Sequence, residues 1–374
     1  MPPTAQAATS GPSYIPSIPQ STLPLPTELI TRVLSYSSQG TLASICRVSK
    51  ALYRIASPVL WKHLVLSPWK VGQDEEGVLD EKKAECGSMK TRQKNGKALR
   101  NDVITLSVYH HSTTWCRSNT KSTLKLPEVH TLHLYLSEYG LLHDGHDRNG
   151  CRLLRNIAPK VVIFHNARAR HLGEESLGSP YGLFDQTEEL TCISLVSRAL
   201  EPSFNDLVVL QKFFNLNKMV WIFQPEDFDP SRHYGWTEPI LAGYDYRNEI
   251  VRLANALPKA KLTIVNSGLI HFYDKDCEKM TVEESQRQNE IIVKKEVEEL
   301  LVANFRQWSP ERREERIESI EFMDLNEFME KEEWWKYLNT DEVQEWKVMM
   351  DEVEKRFSVE AETDPADGKE VMDD

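Results

Sequence analysis

From Leu99 to Phe322 short apolar runs alternate with longer stretches whose apolar residues recur every three or four positions. Seven runs have the length and composition of strands: Val103–Val108, Val129–Leu136, Val161–Phe164, Leu190–Val196, Met219–Phe223, Leu262–Val265 and Ile317–Phe322. Between them the spacing predicts helices. Asn205–Phe214 has Asn205 placed as an N-cap. Arg247–Leu257 sets Ile250, Val251, Ala254 and Leu257 on one face, and Ser285–Trp308 carries Val293, Val297, Leu301, Phe305 and Trp308 at helical spacing. The strand starts advance by about 26, 32, 29 and 29 residues, then by about 43 and 55.

A period near 28–30 residues falls in the range of a leucine-rich repeat. Four runs place apolar residues at i, i+3 and i+5: Val103/Leu106/Val108, Val129/Leu132/Leu134, Leu190/Ile193/Leu195 and Ile317/Ile320/Phe322. The expected fold class is α/β. A three-helix N-terminal segment is followed by an irregular leucine-rich-repeat-like solenoid over 99–325, in which each unit buries an apolar face on its neighbours. An ordinary open parallel sheet is the alternative. Residues 326–358 predict a helical cap, as Asn326–Tyr337 and Thr340–Phe357. Val343, Trp346, Met350, Val353 and Phe357 form a stripe expected to cover the last strand.

The N-terminal segment is compact and helical. In Leu25–Leu66, Pro26 suits a first helical turn, and Leu29, Val33 and Leu34 share a face. Thr41 and Ser49 are placed to cap a second and a third helix, and Pro58 to stop the third. Three helices in about forty residues make a small core, so support from elsewhere is expected.

This segment resembles the F-box. The residues that carry the resemblance are Leu25-Pro26-Thr27-Glu28-Leu29, Val48-Ser49-Lys50 and Leu60-Trp61-Lys62-His63-Leu64. A bulky Trp usual after the Lys is absent, with Leu52-Tyr53 nearby, and the connector Ser37-Ser38-Gln39-Gly40 is unusually polar. The resemblance implies an F-box at 23–68 that binds a Skp-type adaptor, and through it a cullin–RING ubiquitin ligase. It implies contact through Leu25, Pro26, Glu28, Leu29, Val33, Leu34, Val48, Leu60 and Trp61. It also implies that the rest of the chain holds a protein substrate and that the chain performs no chemistry. A scaffold that uses the adaptor without ubiquitin transfer shares every one of these motifs.

Charge and composition narrow the rest. The 374 residues carry 45 Lys+Arg against 57 Asp+Glu, a net −12, which argues against nucleic-acid binding. Residues from Asp274 onward hold about 32 acids and 15 bases, whereas the first seventy hold six bases and one acid, Glu28. A basic start suits an acidic adaptor. The Pro-rich residues 1–22 read as a disordered leader, 69–98 as a flexible linker and 359–374 as a disordered acidic tail. No run approaches 18 apolar residues, so no membrane span is expected. The six cysteines are scattered without a CxxC pair, as suits reduced thiols in the cytoplasm or nucleus.

Catalytic signatures are sparse. No Gly-rich phosphate loop, GxSxG or HExxH occurs. His143, His146 and Asp147, followed by Cys151, form the one grouping that suggests metal chemistry. Its more economical reading is a polar turn, so no cofactor and no metal are expected. Substrate contacts are expected at strand positions between the buried ones, with Thr105, Tyr109, His133, Tyr135 and Ser194 as candidates. Ser107, Thr131 and Cys192 follow from the same rule.

Overall fold

The computed structural model describes residues 25–67, 102–119, 126–137, 142–144, 151, 153–154, 157–167, 183–195, 214–225, 240–273 and 280–362. The expected leader, the 69–98 linker, the 205–213 part of the expected helix and residues 363–374 lie outside these. The chain forms two compact units divided between Leu60 and Trp61.

The first unit contains α1 (Thr27–Ser35), α2 (Gln39–Val48) and α3 (Lys50–Trp61, its last residue across the divide). Pro26 precedes α1, and its carbonyl accepts from the N–H groups of Leu29 and Ile30, both at 3.1 Å. Ser38, rather than Thr41, caps α2: its Oγ accepts from the Thr41 N–H. Ser49 caps α3 as expected, accepting from the Leu52 N–H at 3.1 Å. Pro58 does not end α3, which continues to Trp61. The intrahelical bond it forfeits would have gone to the carbonyl of exposed Arg54, where water can replace it. Leu34, Leu42 and Ala56 are buried at the centre, with Ile30, Ile45, Cys46, Ile55, Val59 and Leu60 packed around them.

The second unit begins with β1 (His63–Leu66), β2 (Thr105–Tyr109), the short β3 (His111–Ser112), α4 (Thr113–Asn119), β4 (Thr131–Tyr135) and the short β5 (His143–Asp144). Then come β6 (Val161–His165), β7 (Glu189–Leu195), β8 (Lys218–Gln224), α5 (Ile240–Ala256) and β9 (Lys261–Val265). A 3-10 segment (Ser267–Tyr273), α6 (Val282–Asn304), α7 (Pro310–Glu318) and β10 (Ile320–Met323) follow. The last elements are α8 (Leu325–Lys331), a 3-10 turn (Trp334–Lys336) and α9 (Thr340–Glu362).

Eight strands form one wholly parallel sheet in chain order, β1-β2-β4-β6-β7-β8-β9-β10, and β3 pairs with β5 beside it. Every expected strand run contains a strand. The sheet's additional strand, β1, lies inside the stretch whose pattern predicts only helices, starting two residues after Trp61. Register-equivalent positions Leu106, Leu132, Val162, Leu190 and Met219 advance by 26, 30, 28 and 29 residues.

Alternation along each strand builds two faces. On the first face two apolar rows cross all eight strands. One is Leu64, Leu106, Leu132, Val162, Leu190, Met219, Leu262 and Ile320; the other is Leu66, Val108, Leu134, Phe164, Cys192, Trp221, Ile264 and Phe322. Ile250, Val251 and Ala254 of α5 and Val293, Val297 and Leu301 of α6 complete this core. Gly268 lets the 3-10 segment meet α6: an added Cβ would stand 2.1 Å from the Val282 carbonyl oxygen. Arg316, buried in α7, donates to the carbonyls of Ala254 and Ala260 and to Ser319 Oγ, which satisfies the C-terminal end of α5. Burial lowers its pKa to about 10. Asn166 and Asn266 follow β6 and β9 with φ of 58° and 59°, and their amides donate to the carbonyls of Leu136, just past β4, and Phe223 in β8. Asparagine tolerates that left-handed backbone better than other non-glycine residues.

The second face changes character along the sheet. Its later strands present Val161, Ile163, Ile193, Val220, Ile222, Val265 and Met323. Leu325, Phe328, Tyr337, Leu338, Val343 and Trp346 from the C-terminal segment cover them. The helical cap therefore packs Trp346 on the middle and late strands' second face, not against Ile317, Ile320 and Phe322. Ile317 itself lies in the last turn of α7 rather than starting a strand. The segment Asn326–Tyr337 is not one helix: extended Glu332 separates α8 from the 3-10 turn. α9 runs to Glu362, into the span expected to be a tail. Lys218 Nζ joins strand to cap, donating to Glu332 at 2.5 Å and to Tyr337 Oη at 3.5 Å. Tyr337 in turn donates to Glu189 at 3.2 Å.

Candidate functional sites

In the first unit, apolar side chains that the small core does not use stand on the surface. Leu29 and Val33 stand four residues apart on one side of α1, and exposed Leu25 precedes the helix. Leu29 is 51% and Val33 65% exposed, while Val48 at the end of α2 reaches 72%. Pro26 and Glu28 are exposed too. Leu34, included in the expected contact set, is 4% exposed and belongs to the internal core, so the structure corrects its role to packing. Leu60 is half-buried against the same core, and Trp61 is half-buried. Tyr36 and Tyr53, which sequence reasoning left out of the set, are also exposed. Nothing in the periodicity distinguished them from core residues.

In the second unit, the second face of β1, β2, β4 and β6 carries polar and aromatic groups. His63 Nε2 lies 2.7 Å from Ser107 Oγ, and His133 Nδ1 lies 3.1 Å from His165 Nε2. Tyr109 stacks on Tyr135 with ring centroids 4.1 Å apart, and Tyr135 stacks on His165 at 3.9 Å. Burial, reinforced by the neighbouring His63, lowers His133 to about 4. Burial and His133 hold His165 well below the ordinary histidine value. Burial raises both tyrosine hydroxyls, helped by the Glu342 carboxylate of α9. The group is therefore uncharged at neutral pH. It offers stacked ring faces and hydrogen-bonding edges rather than a catalytic charge pair.

Thr105, Tyr109, His133 and Tyr135 all lie on this face and are half-buried, as does Thr131. Ser194 does not. It is fully buried on the first face, where Trp221 Nε1 donates to its Oγ at 2.9 Å. Cys192 is buried there as well. Apolar matching misassigned β7 because both its faces are covered. Thr187/Leu190/Cys192, not Leu190/Ile193/Leu195, is in register with the other strands.

His143 lies in β5, whereas His146 and Asp147 fall outside the described residues. The fold instead gathers His111, Cys116 and Cys151, all buried, with one ligand-type atom from each within 4.8 Å of the others. Their spacing along the chain gave no motif to find. Among the described residues, no helix is long and apolar enough to cross a membrane.

Residues 23–67 match the family model of the F-box-like domain. The chain thus carries an F-box-like domain, comprising the three helices and β1, followed by a parallel sheet with helices. No curated protein matches the chain.

Proposed function

We propose that this chain is the substrate-receptor subunit of an SCF-type ubiquitin ligase, binding a Skp-type adaptor through the F-box-like domain and a protein substrate through the sheet. The observation that carries the reading is the matched domain with Leu25, Leu29, Val33 and Val48 left uncovered. Exposed apolar side chains that the matched domain does not use internally are available for docking. The sequence-ordered parallel strands and their 26- to 30-residue spacing support an irregular leucine-rich-repeat-like solenoid for the second unit. Because the C-terminal segment covers the second face of the later strands, the substrate surface is the early-strand patch of Thr105, Tyr109, His133 and Tyr135. The chain does no chemistry of its own. It raises the local concentration of a substrate lysine at the ligase, in the cytoplasm or nucleus.

Pull-down with a recombinant Skp-type adaptor tests the reading. Replacing Leu25 and Pro26 together by Ala is expected to cost about 2–4 kcal/mol, roughly 30- to 1,000-fold in affinity. Equal capture by parent and double variant would remove these anchors from the interface. Failure of the parent to bind any such adaptor would remove the function.

A further inference from the structure

We propose that His111, Cys116 and Cys151 hold one zinc ion in the second unit. The three residues come from separate places: His111 from β3, Cys116 from α4 and Cys151 from the turn that closes with Leu154 N–H donating to the Cys151 carbonyl. Ser112 Oγ accepts from the Trp115 N–H and so caps the turn of α4 that presents Cys116.

Three observations converge. The first is distance. Tetrahedral zinc with Zn–S of about 2.3 Å and Zn–N of about 2.0–2.1 Å sets sulfur and nitrogen ligands about 3.6 Å apart. Cys151 Sγ and His111 Nε2 are 3.7 Å apart, and all three ligand atoms lie within 4.8 Å of one another.

The second observation is the tautomer. His111 Nδ1 lies 2.6 Å from the carbonyl oxygen of Tyr109. A carbonyl only accepts, so the ring proton sits on Nδ1 and the lone pair on Nε2, the atom facing Cys151. A metal-ligating histidine is commonly oriented by just such a backbone bond through its other nitrogen.

The third is charge. All three residues are at most 1% exposed. Zinc takes the place of two thiol protons, which leave to solvent as two zinc–sulfur bonds form. Two thiolates then neutralise the dication, and the neutral imidazole adds no charge. A buried site of zero net charge avoids the cost of an isolated buried ion. Three protein ligands leave the fourth tetrahedral position to water. No electron transfer is involved.

The test uses the full chain, purified under reducing conditions, dialysed against zinc and then against buffer. One zinc per chain is expected by elemental analysis. Cobalt in its place should give intense sulfur-to-metal charge-transfer absorption. Cys116→Ser and Cys151→Ser should each lose the metal, while Cys192→Ser, equally buried but outside the cluster, should retain it. Since a buried variant can fail to fold, the parent chain supplies a second measurement. In urea below the unfolding midpoint zinc should slow alkylation of Cys116 and Cys151, and chelation should speed it and lower the melting temperature reversibly. Zinc-free parent protein after dialysis, zinc retained by either cysteine variant, or a Cys116–Cys151 disulfide under native conditions would each overturn the proposal.

Discussion

The imidazoles of His133 and His165 share one hydrogen bond, Nδ1 to Nε2 at 3.1 Å, on adjacent strands of the sheet. Both rings are neutral in the folded protein, and His133 does not protonate until about pH 4. In the unfolded chain they titrate near 6.5. Between those values the unfolded state binds more protons. The stability these rings contribute is therefore complete above about pH 6.5 and is lost as pH falls toward 4. His133 accounts for up to about 3 kcal/mol of that loss. Glu342, which burial raises, acts with the opposite sign near the same patch. Urea unfolding at pH 7 and pH 5 should show the fall, and His133→Gln should reduce it. An unchanged pH dependence in that variant would refute the assignment.

The C-terminal segment is expected to be structural. Trp346 is almost fully buried among Ile222, Val265 and Phe328. Trp346→Ala should therefore destabilise the second unit by about 3–5 kcal/mol, measured by chemical denaturation. Deleting residues 363–374, beyond the end of α9, should leave the midpoint unchanged.

The surface and core of the first unit are separable by mutation. Leu29→Ala and Val33→Ala should shift stability by less than about 0.5 kcal/mol while weakening adaptor capture. Leu34→Ala should cost about 2–5 kcal/mol, enough to threaten a core of this size. Circular dichroism melts alongside the pull-down would distinguish the two classes. A strong stability loss in Val33→Ala would place that residue in the core instead.

Ser194 and Tyr135 should behave oppositely. Ser194→Ala removes the hydroxyl that accepts from Trp221 Nε1 and should cost about 1–3 kcal/mol, with substrate capture intact once the protein is folded. Tyr135→Ala removes the ring stacked between Tyr109 and His165 and should weaken substrate capture. Co-purification from native lysate, scored against melting temperature, reads both effects.

Much of this was legible in the chain where one face of a strand is half-open, as in β4. Leu132 and Leu134 alternate with Thr131, His133 and Tyr135, so burial and polarity agree in β4. In β7 they do not. A segment more than a hundred residues away covers its second face, making Ile193 as apolar as Leu190 and hiding the register. β1 was obscured by its four-residue length and its position directly after the helical motif. The split at Glu332 depends on backbone geometry that apolar periodicity does not encode. For the F-box-like surface, residue identity gave the set, but only the packing of three helices separated inward Leu34 from outward Val33.

The covering of the later strands by α8 and α9 has a consequence for synthesis. The sheet is assembled from neighbours in chain order, so its strands can pair as they leave the ribosome. Ile163, Ile193, Val220 and Ile222 nevertheless stay wet until Val343 and Trp346 arrive. About 180 residues separate Ile163 from Trp346, which at cellular elongation rates is roughly 9–36 s of translation. For that interval the nascent chain displays an adhesive apolar plate. A transcript truncated before Trp346 would encode a product that keeps it permanently, one destined for chaperones and proteolysis.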